Sequence, residues 1–302
     1  MGHQPARPLM GIGLITAAVM LFAVGDVASK HLTMLYAVPL VMALRYGINL
    51  GLIVALFGPR HGRAILRVGR PWLVGLRAAS LTLGSLMMGL ALRHMPVAET
   101  VAIIYLSPFL VMIAAVWLMG EAASPAAWVG AAIGFAGVLL IARPGSGLDF
   151  WGVIFSLINA VCAATYNLLS RELAKTETTP ALMFHTAWVG LAAFCVMLAA
   201  TGAGALPQGF DWAYIALLGI IATAGHFLIT AAYREADASL LAPVNYLHLF
   251  WAGLLGWLVF GHIPDAISLL GMAMIALAGA GVALHAHYLR RAGVPTVPAP
   301  VG

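Results

Sequence analysis

The chain has 302 residues, of which 63% are apolar and 8% charged, far from the roughly 25% charged residues of a soluble domain. A water-soluble globular fold is excluded. The formal charge of +5 does not point to a nucleic-acid partner, because the 15 Lys and Arg sit almost wholly in short connections between apolar runs, where they orient a chain in a bilayer.

Ten apolar runs of about 18 to 24 residues, the length of a tilted membrane helix, are bounded by Gly, Pro or charge. In chain order they are Leu9 to Ser29, Val38 to Phe57, Trp72 to Leu92, Val97 to Met119, Ala126 to Ala142, Phe150 to Ser170, Pro180 to Ala200, Trp212 to Tyr233, Ser239 to Phe260 and Ala266 to His287. The first lacks the short h-region and small-residue cleavage pattern of a signal peptide and is expected to remain as a span. A β-barrel is excluded, since none of these runs alternates apolar and polar residues. Cys162 and Cys195 both lie inside apolar runs, so neither a disulfide framework nor a thiolate zinc site is expected.

Lys and Arg fall unequally on the two faces. The face with both termini carries Arg7, Arg60, Arg63, Arg67, Arg70, Arg171, Lys175, Arg234, Arg290 and Arg291, and the opposite face Lys30, Arg93 and Arg143; Arg45 and Arg77 lie inside spans. Both termini are therefore expected in the cytoplasm. The tail after Arg291, AGVPTVPAPVG, is Pro-rich and expected to be disordered; the cytoplasmic tail is taken as residues 289–302.

One offset of 141 residues, without a gap, matches Gly11 with Gly152, Ser29 with Ser170, Lys30 with Arg171, Pro39 with Pro180 and Met42 with Met183. The same register pairs Gly84 with Gly225, Tyr105 with Tyr246, Phe109 with Phe250 and Gly120 with Gly261. A register that persists over about 120 residues marks an internal duplication. Each copy holds five spans, an odd number, so the second enters the membrane from the opposite face. The expected fold is an all-α membrane protein of ten transmembrane helices in two inverted five-helix repeats, residues 9–142 and 150–288, the architecture of alternating-access carriers.

The hinge between the fourth and fifth spans and its flanks, Leu118, Met119, Gly120, Glu121, Ser124, Pro125, Trp128, Gly130, Gly134 and Gly137, resemble the GE-hinge signature of the EamA repeat of the drug/metabolite transporter superfamily. Ala91, Leu92, Pro96, Ala98, Pro108 and Arg45 resemble the same repeat. The resemblance covers nearly the whole chain and implies a ten-helix carrier for small polar metabolites or drugs, many of them amino-acid exporters of bacterial inner membranes. The second repeat has His262 where the hinge acid would stand, which favours a structural rather than a transporting role for Glu121.

A carrier of this kind holds its substrate near the bilayer midplane. Tyr105 lies about 12 Å below the start of its span, and Tyr246 is similarly deep in the repeat-related ninth. Pro108 and Pro243 interrupt the same two spans, and broken helices line cavities. The competing account packs both rings between helices with their hydroxyls on backbone. Asn245 and His248 share one face of the ninth span with Trp251 a turn further, and His226 stands where the first repeat has Ser85. For these residues the alternative is a helix-to-helix hydrogen bond. Asn159, Tyr166 and Asn167 form a weaker third wall. Aromatic and amide groups together suit a neutral or zwitterionic guest with an apolar body.

Asp26, Lys30, Arg45 and Glu99 lie at comparable depth and are candidates for an outer gate that pairs when closed, against interfacial snorkelling as the alternative. Arg77 reads as a snorkelling residue rather than a substrate clamp. Trp72, Trp128, Trp151, Trp212 and Tyr288 fall near span ends and read as interfacial anchors. Gly130 and Gly134 suit a close helix approach, favoured between the two halves rather than between protomers, which leaves a monomer as the expected unit.

The function expected is a secondary transporter that exports small metabolites, foremost aromatic or other apolar amino acids, across the bacterial inner membrane; a multidrug exporter of amphipathic cations and a passive channel or scaffold are the alternatives. Proton coupling would run through Asp26, Glu99 or a histidine, and a uniporter is equally open. An intramembrane aspartyl protease would need two deep Asp, yet Asp26 alone lies inside a span, and HExxH is absent. No enzyme activity, cofactor or metal is expected; the partners are a small-molecule substrate and the lipid bilayer.

Overall fold

The computed structural model describes residues 8–120, 123–143, 145–236 and 238–291. Among these, every regular element is a helix: α1 (Pro8–Leu35), α2 (Val38–His61), α3 (Pro71–His94), α4 (Val97–Ile104), α5 (Ser107–Met119), α6 (Pro125–Ile141), α7 (Phe150–Leu173), α8 (Thr179–Thr201), α9 (Asp211–Glu235), α10 (Ala238–Asn245), α11 (Leu247–Phe260) and α12 (Ala266–Arg291), with a short 3-10 turn at Gly62–Leu66. Nine of the spans made by these helices are long and apolar enough to cross a membrane, and α6 is a shorter apolar one. The tail beyond Arg291 and the hinge acid Glu121 lie outside the described residues.

Helix starts are locally encoded. Pro sits in the first turn of α2, α3, α5, α6 and α8, where its missing N–H costs nothing. Ser124, Asp149 and Thr178 accept from the backbone of the third residue onward, satisfying amides that the helix leaves orphaned. Asp265 does the same for α12 through Ile267 and Ser268 and also receives Arg143 at 2.9 Å. These bonds, the Ser268 amide first, hold its carboxyl below the usual carboxylate range. Gly120 and Gly261, at the ends of α5 and α11, both adopt positive φ, 66° and 69°, the left-handed turn that glycine tolerates.

The duplication is visible helix by helix: α4 and α10 begin and end 141 residues apart, and the packing follows the same exchange. The α3–α7 contact has α1–α9 as its equivalent, α3–α8 has α2–α9, and α2–α8 and α6–α12 pair each helix with its own copy. Gly130 meets Val282 of the second half, as expected, whereas Gly134 meets the Phe109 ring of its own half. Backbone meets backbone between Gly137 and Gly271, where a Cβ on either would strike the other's carbonyl oxygen at 2.5–2.6 Å.

The two faces differ. On the face away from the termini α4 packs on α11, whereas among the described residues the equivalent pair, α10 and α5, makes no comparable contact. The closed face is pinned by His262 Nε2 and Glu99 Oε1 at 2.8 Å, with Glu99 only 2% exposed. Lys30 donates to the carbonyls of Leu92 and Met95, both at 2.7 Å.

These contacts revise the gate expected from sequence. Asp26, Lys30, Arg45 and Glu99 do not pair with one another: Asp26 faces His248 at 3.0 Å, and Arg45 lies against the Met42 sulfur and the Tyr46 ring. The physical reason is local competition. α1 runs on past Ser29 to Leu35, which carries Lys30 to the C-terminal carbonyls of α3, where the helix dipole favours a cation. His262, beyond α11, gives Glu99 a nearer partner.

Two outcomes are expected. Gly137→Val should lower the thermal midpoint in detergent, since overpacking a tight contact costs about 1–3 kcal/mol, whereas Gly75→Ala, with open space around it, should not; equal midpoints would refute the tight contact. With Cys162 and Cys195 removed, a Gly253→Cys reporter in the closed vestibule should react about tenfold faster with an impermeant maleimide once His262→Ala is added, the change expected for roughly 1.4 kcal/mol lost from the closed state. An unchanged labelling rate would show that the pair does not hold this face shut.

Candidate functional site

Proline sets the centre of the molecule. Pro108 has no amide to continue the helix, and the Phe109 amide turns back to Leu106, so the fourth span divides at Tyr105 and Leu106. In the second half Pro243 lies inside α10, and the Tyr246 amide takes the Pro243 carbonyl in a tightened turn before α11 begins. Such breaks open backbone groups that a membrane interior cannot hydrate. One of them, the Asn245 carbonyl, accepts the Tyr105 hydroxyl at 2.7 Å.

The tyrosine rings then stand 5.0 Å apart at 40°, an arrangement aromatic pairs favour. Gly279 of α12 admits the Tyr246 hydroxyl against its backbone. Tyr105, Asn245, Tyr246 and His248, with Asn167 of α7, line a cavity of about 550 Å³ that runs toward the terminal face between Ala127 and Ala286. Both accounts of the tyrosines therefore hold in part for Tyr105: its hydroxyl is on backbone and its ring borders the cavity.

Behind the pair, His248 lies 5.9 Å from the Tyr105 ring and 6.4 Å from Phe22, which is 5.4 Å from His226. His248 Nε2 and Asp26 Oδ2 are 3.0 Å apart, mostly buried, but not aligned as a hydrogen bond. Trp251 does not border the cavity; its buried Nε1 has no acceptor among the described residues, an arrangement that costs about 1–3 kcal/mol.

A second, smaller cavity of about 160 Å³ lies among α2, α3, α7, α8 and α9, bordered by Arg45, Asn49, Arg77, Tyr166, Thr186 and His226. Arg77 does not snorkel, which corrects the sequence expectation. It is 6% exposed and donates to Ser170 Oγ, the Leu182 carbonyl, Thr186 Oγ1 and Tyr166 Oη at 2.6, 3.2, 2.8 and 2.7 Å. Its face of α3 packs on α7 and α8, so neutral acceptors reach it before the interface does.

The sequence candidates thus divide. Tyr105, Asn245, Tyr246 and His248 surround the larger cavity, while Arg45, Tyr166 and His226 border the smaller. Ser85 is 2.9 Å from the Tyr46 hydroxyl, and Asn159 is buried with its Oδ1 beside Gly84, so both serve contacts between helices. Arg77, Thr186 and Asn49, which donates to Thr223 at 2.8 Å, went unselected. The available signal was charge: two arginines lie inside spans that hold few other charged residues. Among the described residues no cluster of three or more His, Cys, Asp or Glu is arranged for a metal ion.

Comparison with known proteins agrees with this architecture. The EamA-like transporter family matches twice, over residues 9–143 and 150–284. A riboflavin transporter of Rhizobium johnstonii is 29% identical over 275 residues, 90% of each chain. An S-adenosylmethionine uptake transporter of Rickettsia felis is 24% identical over 88% of this chain and 90% of its own, and a pseudopaline exporter of Pseudomonas aeruginosa is 24% identical over 75% and 80%. One solved crystal structure shares the fold with a TM-score of 0.65 and 23% identity, covering 92% of this chain and 97% of its own. Two matches, one on each five-span half, cover nearly the whole chain, and the chain belongs to the EamA-like transporter family, as a multi-pass membrane transporter and not an enzyme.

Proposed function

We propose that this secondary transporter moves a flat aromatic or heteroaromatic metabolite, held against Tyr105 and Tyr246 while residues 9–142 and 150–288 rock about it. The observation that carries this reading is the tyrosine pair at the two helix breaks, bordering a cavity of about 550 Å³, within the size range of small-molecule pockets. Asn167, Asn245 and His248 add polar groups that fix orientation. Aromatic amino acids are the smaller members of this class, and riboflavin, named for one relative, is a larger one. An amphipathic cation is disfavoured because Asp26 and Glu99 each already face a histidine.

The excess of Lys and Arg on the terminal face supports a bacterial inner-membrane protein with both termini in the cytoplasm. In that orientation the cavity opens inward with the periplasmic face closed, the state that loads a substrate for export. A monomer suffices, since both repeats contribute to one centre.

The test is flux in proteoliposomes. Labelled tryptophan, phenylalanine and riboflavin should give saturable uptake and counterflow for at least one solute, and Tyr246→Ala should raise its Kd about fivefold or more, the loss of roughly 1 kcal/mol of ring contact. Non-saturable flux would indicate a channel. Unchanged affinity in Tyr246→Ala would remove the tyrosine pair from the site.

A further inference from the structure

The smaller cavity has a charge imbalance that the aromatic site does not use. Two guanidiniums, Arg45 and Arg77, border it, and among the described residues no Asp or Glu does. The intraspan carboxylates are engaged elsewhere, Asp26 with His248 and Glu99 with His262. A cation at membrane depth without an anion is unfavourable and marks a functional position.

The donors are arranged for a ligand. Four of the five guanidinium N–H groups of Arg77 are spent on neutral acceptors, which fixes its plane and leaves one free. Arg45 is the reverse: its contacts are the Met42 sulfur at 3.8 Å and the Tyr46 ring at 5.6 Å, both weak. Its planar fork is therefore open to a bidentate oxyanion. At about 160 Å³ the space holds a carboxylate or phosphate, not a whole metabolite.

The two cavities share no lining residue but are linked through side chains. His226 borders the smaller one, and its ring contacts Phe22, which contacts His248 of the larger. Consecutive residues of α7, Tyr166 and Asn167, border one cavity each. Resting on the aromatic reading of the larger cavity, we infer that the Arg45 and Arg77 cavity is an oxyanion subsite, so that the preferred cargo is an aromatic ring bearing a carboxylate or phosphate. A lipid headgroup has the same chemistry, and a groove toward the bilayer shares Thr179, Met183 and His226 with this cavity; the test therefore separates the two sources.

Binding is measured on the full chain in neutral detergent with matched pairs: riboflavin against riboflavin 5′-phosphate, and tryptamine against tryptophan. The oxyanion-bearing member should bind about tenfold more tightly, a difference that Arg45→Gln reduces to within about twofold and Arg45→Lys restores in part. Folding of each variant is checked by its thermal midpoint, and Arg45 is chosen because Arg77 also ties three helices together. Equal affinity within both pairs, or a preference that survives in folded Arg45→Gln, overturns the subsite. If no member of either pair binds, the aromatic reading falls, and inorganic phosphate decides the subsite alone: a raised midpoint in the parent but not in Arg45→Gln supports it, and no rise overturns it. Displacement of riboflavin 5′-phosphate by phosphatidylglycerol but not phosphatidylcholine assigns the subsite to a lipid; no displacement assigns it to the solute.

Discussion

A broken helix inside a bilayer must find partners for the backbone groups it releases, because no water is present to take them. Here Pro108 and Pro243 impose the breaks, and the hydroxyl of Tyr105 from the first repeat satisfies the Asn245 carbonyl released in the second. That single bond joins the two halves at their centre. It also fixes the ring of Tyr105 beside that of Tyr246 and so shapes the wall of the larger cavity.

The same rule governs the charges. Lys30 caps the carbonyl end of α3, Glu99 takes His262, Asp26 takes His248, and Arg77 is surrounded by hydroxyls and a carbonyl. Arg45 alone among these stands on a sulfur and a ring. Where a buried charge is satisfied by neutral or local groups it serves packing; where it is not, it is available to a ligand.

Symmetry of topology is not symmetry of state. The helices of the two repeats correspond under one offset, yet α4 packs on α11 while, among the described residues, α5 and α10 do not pack comparably. On the closed face, the hinge position that carries an acid in the first repeat carries His262 in the second, within reach of Glu99. Divergence of a few side chains between duplicated halves thus gives the two faces different contacts, while the small-residue contact of α6 with α12 joins the halves.

The sequence by itself determined the ten apolar spans, the duplication, the inversion and the two proline breaks beside Tyr105 and Tyr246. Each of these rests on local chemistry: hydrocarbon length, a missing amide, a count of residues. Only the tertiary structure decided how the polar side chains pair. Arg77 turned inward rather than to the interface, Lys30 reached the carbonyl end of α3, and the four gate candidates did not pair with one another. Spans apolar on almost every side carry little information about their rotation around their own axes, and that rotation, set by packing against neighbours distant in sequence, chooses which polar groups meet.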